Sequence, residues 1–219
     1  MELIPDTRLV LVRHGETEAN VNQLWHGALD APLTARGEQQ VAATAAYLAQ
    51  AHRVAPFSAF YVSPLPRARS TASAIADATG VAPVVKEDLR EFDLGDWEGR
   101  SFRELQEQED LWGRWAVDPT FAPPNGESPV SLTRRAIAAL EGVARKHPAG
   151  RILVVTHGGF ISSVLSVWLG ERPGDWRAFD PHNCAISVVV RTEQGWHGEV
   201  VNDIGHLPAT ARADYEPGY

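Results

Sequence analysis

Short apolar segments that end in polar turns recur along the chain, and segments with a helical pattern separate them. The clearest are residues 9–12 (LVLV) and 152–155 (ILVV). Four consecutive apolar residues with β-branched side chains among them are typical of a buried strand. Residues 57–62 and 81–85 are further strand candidates. Strands that alternate with helices predict an α/β fold with a mostly parallel central sheet and helices on both faces.

The predicted helices carry start and stop signals. Thr34 is suited to be the N-cap of one helix, and Ser101 with Glu104 three residues later has the pattern of a capping box for another. Gly80 is placed to end a helix, because glycine readily adopts the left-handed conformation found there. The other predicted helices cover residues 67–79, 128–147 and 160–169.

Three segments depart from this alternation. Residues 18–31 predict a polar loop, and residues 111–124 predict an irregular segment suited to cover a site. Near the C terminus, residues 185–190 and 196–201 predict a hairpin. The hairpin would add antiparallel strands near the C-terminal edge of the sheet.

Length and composition fit one globular domain. The chain has 219 residues, of which 44% are hydrophobic and 22% charged, and this is enough for one sizeable core. We expect a single domain over residues 1–207, with a small covering segment at about 100–126, and a loose tail over residues 208–219.

The charge balance disfavours some partners. A formal net charge of -8 argues against nucleic acid and against an anionic membrane surface. No apolar segment is long enough to cross a bilayer, and residues 1–6 do not resemble a secretory signal. The single cysteine, Cys184, lies in an apolar segment and is interpreted as an unreactive core thiol. We therefore expect a cytoplasmic protein.

Three polar turns follow predicted strands. They contain Arg13 and His14, the segment 63–67 with Arg67, and His157. Because the carboxyl ends of parallel strands lie at one edge of a sheet, these turns are expected to converge. Each residue alone has an ordinary explanation, as a surface arginine or a structural histidine. Two arginines and two imidazoles on three converging turns instead predict a site for an oxyanion such as phosphate.

Several segments resemble the histidine phosphatase superfamily, in its phosphoglycerate mutase-like branch, and they occur in the order typical of that family. The strongest is LVRHGET, residues 11–17. The others are DAPLTARG (30–37), SPLPRARSTA (63–72), the acidic loop 89–99, PNGES (124–128), VTHGG (155–159) and residues 202–207. Together they span nearly the whole chain, so the resemblance implies the fold of that family.

The resemblance also implies a phosphomonoesterase that works through a phosphohistidine. His14 would accept the phosphoryl group, Arg13, Arg67 and His157 would hold its oxygens, and Glu91 would donate the proton to the leaving group. Fixed cations suit this chemistry, because phosphoryl transfer spreads negative charge over three equatorial oxygens. The remaining residues implied for the phosphate pocket are Asn20, His26, Gly27 and Gly158.

Some details stay open from the sequence. Asp93 and Asp96 are rivals to Glu91 as proton donor, and Glu91 is preferred because it follows Leu-Arg as in the family. The sequence does not tell which nitrogen of His14 attacks. His26 stands where many family phosphatases have glutamine, which leaves the identity of the substrate open. Neither a metal nor a cofactor is expected, because the cations would take the role of a metal.

Two alternatives accompany the leading interpretation, a hydrolase of small phosphorylated metabolites. A cofactor-dependent phosphoglycerate mutase is the first, but the family's mutases carry a longer covering insert than the segment between Gly99 and Gly126 provides. An inactive module that binds a phosphorylated ligand is the second, and the presence of every expected chemical group argues against it. The apolar terminal strands leave a homodimer open as a further expectation.

Overall fold

Six strands form one sheet in the computed structural model, which describes residues 6–170 and 176–212. They are β1 (Thr7–Arg13), β2 (Ala59–Val62), β3 (Val84–Val85), β4 (Arg151–Thr156), β5 (Ile186–Thr192) and β6 (Gly195–Asp203). Their order across the sheet is β3-β2-β4-β1-β5-β6. The first four strands are parallel, whereas β5 and β6 are antiparallel, so the predicted fold class is confirmed.

Seven α-helices lie in the described part of the chain. They are α1 (Glu18–Val21), α2 (Ala35–Val54), α3 (Pro66–Thr79), α4 (Phe102–Glu109), α5 (Leu111–Val117), α6 (Pro129–Lys146) and α7 (Gly158–Trp168). Short 3-10 turns occur at Glu87–Leu89, Gly95–Trp97, Trp176–Phe179 and Ala209–Ala211.

The two faces of the sheet bury alternate residues of the same strands, as the pleat requires. Leu9 and Leu11 pack with residues of α6 and α7, among them Leu140 and Phe160. Their neighbours Val10 and Val12 face the other way and pack with residues of α2 and α3, among them Leu48 and Ile75. Helices therefore cover both faces, which explains why the central strands are apolar at consecutive positions.

The register of the parallel strands brings three turns level with one another. Arg13 pairs with Thr156, and Val62 pairs with Val155. Directly beyond these pairs, His14 N–H donates to the Thr156 carbonyl at 3.0 Å and Ser63 N–H donates to the Val155 carbonyl at 3.0 Å. The residues after β1, β2 and β4 thus meet at the carboxyl edge of the sheet.

The helix signals read from the sequence are present. The Thr34 side chain accepts the Gly37 N–H at the start of α2, and Ser101 and Glu104 form the capping box of α4. Gly80 ends α3 with a left-handed φ of 75°.

Three local predictions were wrong in detail. The segment 18–31 is not a loop throughout, because Thr17 and Asn20 form a capping box that starts the short helix α1. The segment 111–124 is helical over α5, where Trp115 is buried in a cluster with Phe92. The strand expected over residues 81–85 is reduced to β3, two exposed residues at the edge of the sheet.

The C-terminal hairpin forms as predicted and is anchored to α7. The Trp196 ring on β6 stacks on Trp168 with ring centroids 4.1 Å apart, and Trp196 Nε1 donates to Glu141 at 2.8 Å. Residues 208–212 are ordered rather than loose, because Ala211 is fully buried and its carbonyl accepts from Gln40 Nε2 at 3.0 Å. Residues 213–219 of the expected tail lie outside the described residues.

Replacing either of two glycines inside helices by alanine should change the free energy of unfolding, in opposite directions at the two positions. A Cβ on Gly37 would collide with the Glu16 carbonyl oxygen, whereas a Cβ on Gly142 would come no nearer than 3.9 Å to an Arg145 side-chain nitrogen. We expect Gly37→Ala to lower the free energy of unfolding by about 1–3 kcal/mol, since backbone must move. Gly142→Ala should raise it by about 0.5–1 kcal/mol, because alanine restricts the unfolded chain.

Urea unfolding of the two variants beside the wild-type protein measures both effects. Shifts of the midpoint in the same direction would contradict the packing described for the two glycines.

Candidate active site

His14 sits directly after β1 and is 2% exposed. Its Nδ1 lies 2.8 Å from the Gly15 carbonyl oxygen. A carbonyl only accepts, so Nδ1 carries the proton and the neutral ring keeps its lone pair on Nε2. Gly15 is held in turn, because its N–H donates to Thr71 Oγ1 at 3.1 Å. The arrangement makes Nε2 the nitrogen that can act as a nucleophile.

Arg67 lies against that nitrogen. It sits at the start of α3, is 2% exposed, and its Nε donates to His14 Nε2 at 3.3 Å. Its two terminal nitrogens donate to the carbonyls of Leu29 and Gly27, both at 2.8 Å. Because both ends of the fork are fixed, the guanidinium has a defined orientation beside the imidazole.

His157 and Arg13 complete the cationic and imidazole cluster. The ring of His157 is fully buried, with its centroid 5.2 Å from that of His14, and its Nε2 lies 2.6 Å from Ser63 Oγ. Arg13 donates through one terminal nitrogen to the Pro181 carbonyl at 2.6 Å. Both Arg13 Nε and His157 Nδ1 are buried without a hydrogen-bond partner among the described residues. These two nitrogens are the groups that an anion's oxygens could satisfy.

The side chain of Glu91 reaches the N-terminus of α7. One carboxylate oxygen accepts the N–H of Phe92 at 2.8 Å and of Phe160 at 3.0 Å, and the other accepts the N–H of Gly159 at 3.0 Å. A Cβ on Gly159 would stand 2.8 Å from this carboxylate, so the glycine permits the approach. The Glu91 carboxyl group is thereby held by Gly159, which lies two positions after His157 in the chain.

The backbone that carries Glu91 is clamped from α6. Arg135 donates to the carbonyls of Asp88 at 3.0 Å, Arg90 at 2.8 Å and Glu91 at 3.1 Å. The same guanidinium binds both oxygens of Glu127, at 2.6 and 2.8 Å. Glu127 belongs to the PNGES segment, whose role the sequence did not define.

The other predicted pocket residues surround this cluster. Asn20 Oδ1 accepts from Thr17 N–H at 3.1 Å and from Asn183 Nδ2 at 3.2 Å. His26 is half-buried, with its ring centroid 6.1 Å from that of His14. Gly27 contributes its carbonyl to Arg67, and a Cβ on Gly158 would stand 3.2 Å from Arg13 Nε. The structure therefore brings every predicted site residue to one edge of the sheet.

Burial and cations set the protonation states. Burial first, and then Arg67, hold the pKa of both His14 and His157 well below the usual 6.5. The same two causes lower the pKa of His26 to about 3. Burial lowers the pKa of Arg67 to about 10, against the opposing pull of Glu91. Near neutral pH the three imidazoles are thus neutral and Arg67 is charged.

The rival carboxylates and the cysteine are engaged elsewhere. Asp93 Oδ1 accepts the Gly95 N–H at 2.8 Å, and Asp96 accepts from Asn125 at 3.1 Å. Cys184 is fully buried, and burial raises the pKa of its thiol to about 12, which fits an unreactive core thiol.

Some residues of the site escaped the sequence analysis. Asn183 Nδ2 donates to the His14 carbonyl at 3.1 Å and to Asn20 Oδ1 at 3.2 Å, although no motif marks it. Glu98 and the Arg135–Glu127 pair also went unassigned, although the motifs containing Glu98 and Glu127 were noticed. Glu98, Arg135 and Asn183 each contact backbone groups distant in the sequence, and no local pattern reveals such contacts.

Residues 6–170 and 176–212 contain no group of three or more histidine, cysteine, aspartate or glutamate side chains placed to hold a metal ion. They also contain no helix with the length and apolar character needed to cross a membrane.

The sequence matches a protein family and curated relatives over most of its length. Residues 9–204 match the histidine phosphatase superfamily (branch 1). A probable phosphoglycerate mutase GpmB from Enterobacter sp. (strain 638) is 36% identical over 211 residues, which cover 93% of this chain and 96% of that protein. The protein of the same name from Escherichia coli O1:K1 is 37% identical over 214 residues, with the same coverage.

Solved structures with phosphatase names share the fold. A phosphoserine phosphatase mutant from Entamoeba histolytica, in complex with phosphoserine, is 27% identical with a TM-score of 0.81, covering 92% of this chain and 100% of that one. A putative alpha-ribazole-5'-P phosphatase from Escherichia coli K-12 is 28% identical with a TM-score of 0.77, covering 90% and 96%. With the family match over residues 9–204, the chain belongs to the histidine phosphatase superfamily.

Proposed function

We propose that this enzyme hydrolyses the phosphomonoester of a small metabolite through a phosphohistidine on His14. The observation that carries the proposal is the pair of contacts at the His14 ring. Gly15 O holds Nδ1 at 2.8 Å, and Arg67 Nε lies 3.3 Å from Nε2. The lone pair of a neutral imidazole is thus placed beside a buried cation, where a phosphoryl group would be both attacked and stabilised.

In the first step, His14 Nε2 attacks phosphorus. The P–N bond forms as the ester P–O bond breaks, and Glu91 gives a proton to the leaving oxygen. Arg13, Arg67 and His157 hold the equatorial oxygens, whose negative charge grows in the transition state. For His157 to donate through Nδ1, its Nε2 must accept the hydroxyl proton of Ser63, which lies 2.6 Å away.

In the second step, water attacks phosphorus and the P–N bond breaks. Glu91, now a carboxylate, takes the proton from the water, and the electron pair of the P–N bond returns to Nε2. Inorganic phosphate leaves, and both His14 and Glu91 regain their starting protonation states. The phosphate pocket would be lined by the side chains of Asn20 and His26 and by the backbone at Gly27 and Gly158.

Hydrolysis is preferred to mutase chemistry because the covering segment is short. Helices α4 and α5 pack with Trp25 and Phe92, next to His26 and Glu91, and Trp115 is 6% exposed. Helices α4 and α5 make up much of the segment between Gly99 and Gly126, and they are used to form this small core. The segment therefore has few residues left to shield a phosphohistidine from water. The relatives named as probable mutases make the isomerisation of phosphoglycerate the second candidate.

A small phosphorylated metabolite as substrate, a cytoplasmic location and a homodimer remain predictions. The phosphatases of known structure act on small phosphorylated substrates, such as the glucosyl-3-phosphoglycerate of a mycobacterial enzyme 28% identical to this chain. A second copy would find β6 at the free edge of the sheet, where Val200 and Val201 are exposed.

The first prediction concerns the nucleophile. His14→Ala should lower phosphate release from p-nitrophenyl phosphate by on the order of 10⁴-fold or more, since a covalent nucleophile is lost. Acid-labile ³²P labelling of the protein should vanish with it. His197→Ala removes an exposed histidine on β6 and is the matched control. Survival of turnover or labelling in His14→Ala would remove His14 from the nucleophile role.

The choice between hydrolase and mutase needs a separate measurement. With 3-phosphoglycerate as substrate, ³¹P NMR should show free phosphate and no 2-phosphoglycerate. Isomerisation without hydrolysis of any tested phosphomonoester would contradict the proposed function.

A second prediction concerns the proton donor. General acid catalysis contributes about 10²–10⁴-fold, and most where the leaving group is a poor one. Glu91→Gln should therefore slow hydrolysis of alkyl phosphates by about 10²-fold or more, and that of p-nitrophenyl phosphate by about tenfold or less. Equal slowing of both ester classes would show that Glu91 is not the donor.

A third prediction concerns pH. Because burial and Arg67 hold the pKa of His14 below 6.5, the folded protein takes up this proton at lower pH than an unfolded chain does. In ¹⁵N NMR at pH 6.5, His14 should still show the signals of a neutral ring protonated on Nδ1, whereas histidines of the urea-unfolded protein titrate near this pH. A titration of His14 near 6.5 in the folded protein would contradict this.

A further inference from the structure

Glu98 contacts the active site through the backbone. It follows the turn Gly95–Trp97 and is half-buried. One of its carboxylate oxygens accepts the N–H of Ala28 at 2.7 Å, and the other accepts the N–H of Leu29 at 3.0 Å. A Cβ on Gly27 would collide with the same carboxylate, so the loop 27–29 lies directly on it.

Arg67 binds the other side of the same loop. Its terminal nitrogens donate to the carbonyls of Gly27 and Leu29, both at 2.8 Å. The Gly27 carbonyl and the Ala28 N–H belong to one peptide unit. That unit therefore lies between the Glu98 carboxylate and the Arg67 guanidinium, with each end of its dipole on the charge that favours it.

This arrangement couples the two side chains without direct contact. A hydrogen bond to a charged group is stronger than one between neutral groups, and bonds at the two ends of one peptide polarise each other. Holding the loop by its N–H groups aims its carbonyls at Arg67. The third nitrogen of Arg67, Nε, is thereby directed at His14 Nε2.

We propose that Glu98 is a positioning residue for phosphoryl transfer, which acts by fixing the loop 27–29 and through it the orientation of Arg67. The inference rests on the proposed function, since Arg67 matters only if a phosphoryl group sits between it and His14. Glu98 does not serve as proton donor in this account. Burial raises the pKa of Glu98, and the bonds from Ala28 and Leu29 favour its charged form.

The test is a double-mutant cycle on kcat/KM. Glu98→Gln keeps the shape of the side chain but offers one acceptor oxygen instead of two. It should lower kcat/KM by about ten- to hundredfold, since a small displacement of a positioning group costs this much. In an Arg67→Ala background it should change kcat/KM by less than about twofold, because coupled residues are not additive.

Two readouts separate positioning from other roles. Arg67 would act on phosphoryl oxygens and not on the leaving group, so Glu98→Gln should slow alkyl and aryl phosphates equally and weaken inhibition by orthovanadate in the same proportion. Glu104→Gln is the matched control, because Glu104 is an exposed carboxylate that also accepts a backbone N–H, from Ser101 at 2.8 Å, at the start of α4. It should stay within about twofold of the wild-type rate.

Several outcomes would overturn the inference. An effect of Glu98→Gln that persists undiminished in Arg67→Ala would show independent action. A larger effect on alkyl phosphates would make Glu98 part of leaving-group chemistry, and an unchanged rate would remove its role. If Glu98→Gln lowers the urea midpoint, Glu98→Asp, which keeps the charge but shortens the reach, should show the same cancellation in Arg67→Ala. A wild-type protein without phosphatase activity would instead overturn the proposed function.

Discussion

The hydrogen bond from His14 Nδ1 to the Gly15 carbonyl decides what the rest of the site can do. It fixes the tautomer of a buried neutral ring, and so places the lone pair on Nε2 beside Arg67. Burial opposes a charge on the imidazole, and two neighbouring arginines oppose it further. The cations that would stabilise a phosphoryl group therefore also keep its acceptor deprotonated.

The ionisable side chains around this ring are oriented by the backbone more than by one another. Arg67 is held by two carbonyls, Glu91 by three N–H groups and Glu98 by two. Such partners have fixed positions, so these side chains need little rearrangement when a phosphoryl group arrives. Gly27 and Gly159 permit these contacts, because a Cβ at position 27 would collide with Glu98 and one at position 159 with Glu91.

Patterns local in the sequence predicted most of the fold and the reactive groups. Apolar runs marked β1 and β4, and parallel topology then required His14, Arg67 and His157 to converge. The third strand was overestimated because Val81 is apolar but stays unpaired, with pairing confined to Val84 and Val85. The supports of the site were missed for another reason. Glu98, Arg135 and Asn183 contact backbone atoms that lie 44 to 169 residues away in the sequence. These contacts exist only after folding, and no sequence periodicity records them.

A crystal structure with orthovanadate would show which nitrogen of His14 meets the phosphoryl group. Vanadate takes the geometry of a phosphoryl group in transfer, so its metal atom should bond to His14 Nε2. Its equatorial oxygens should accept from Arg67, Arg13 Nε and His157 Nδ1, while Nδ1 of His14 keeps its bond to Gly15. Vanadium bound to Nδ1, or seated away from His14, would contradict the assignment of Nε2 as the nucleophile.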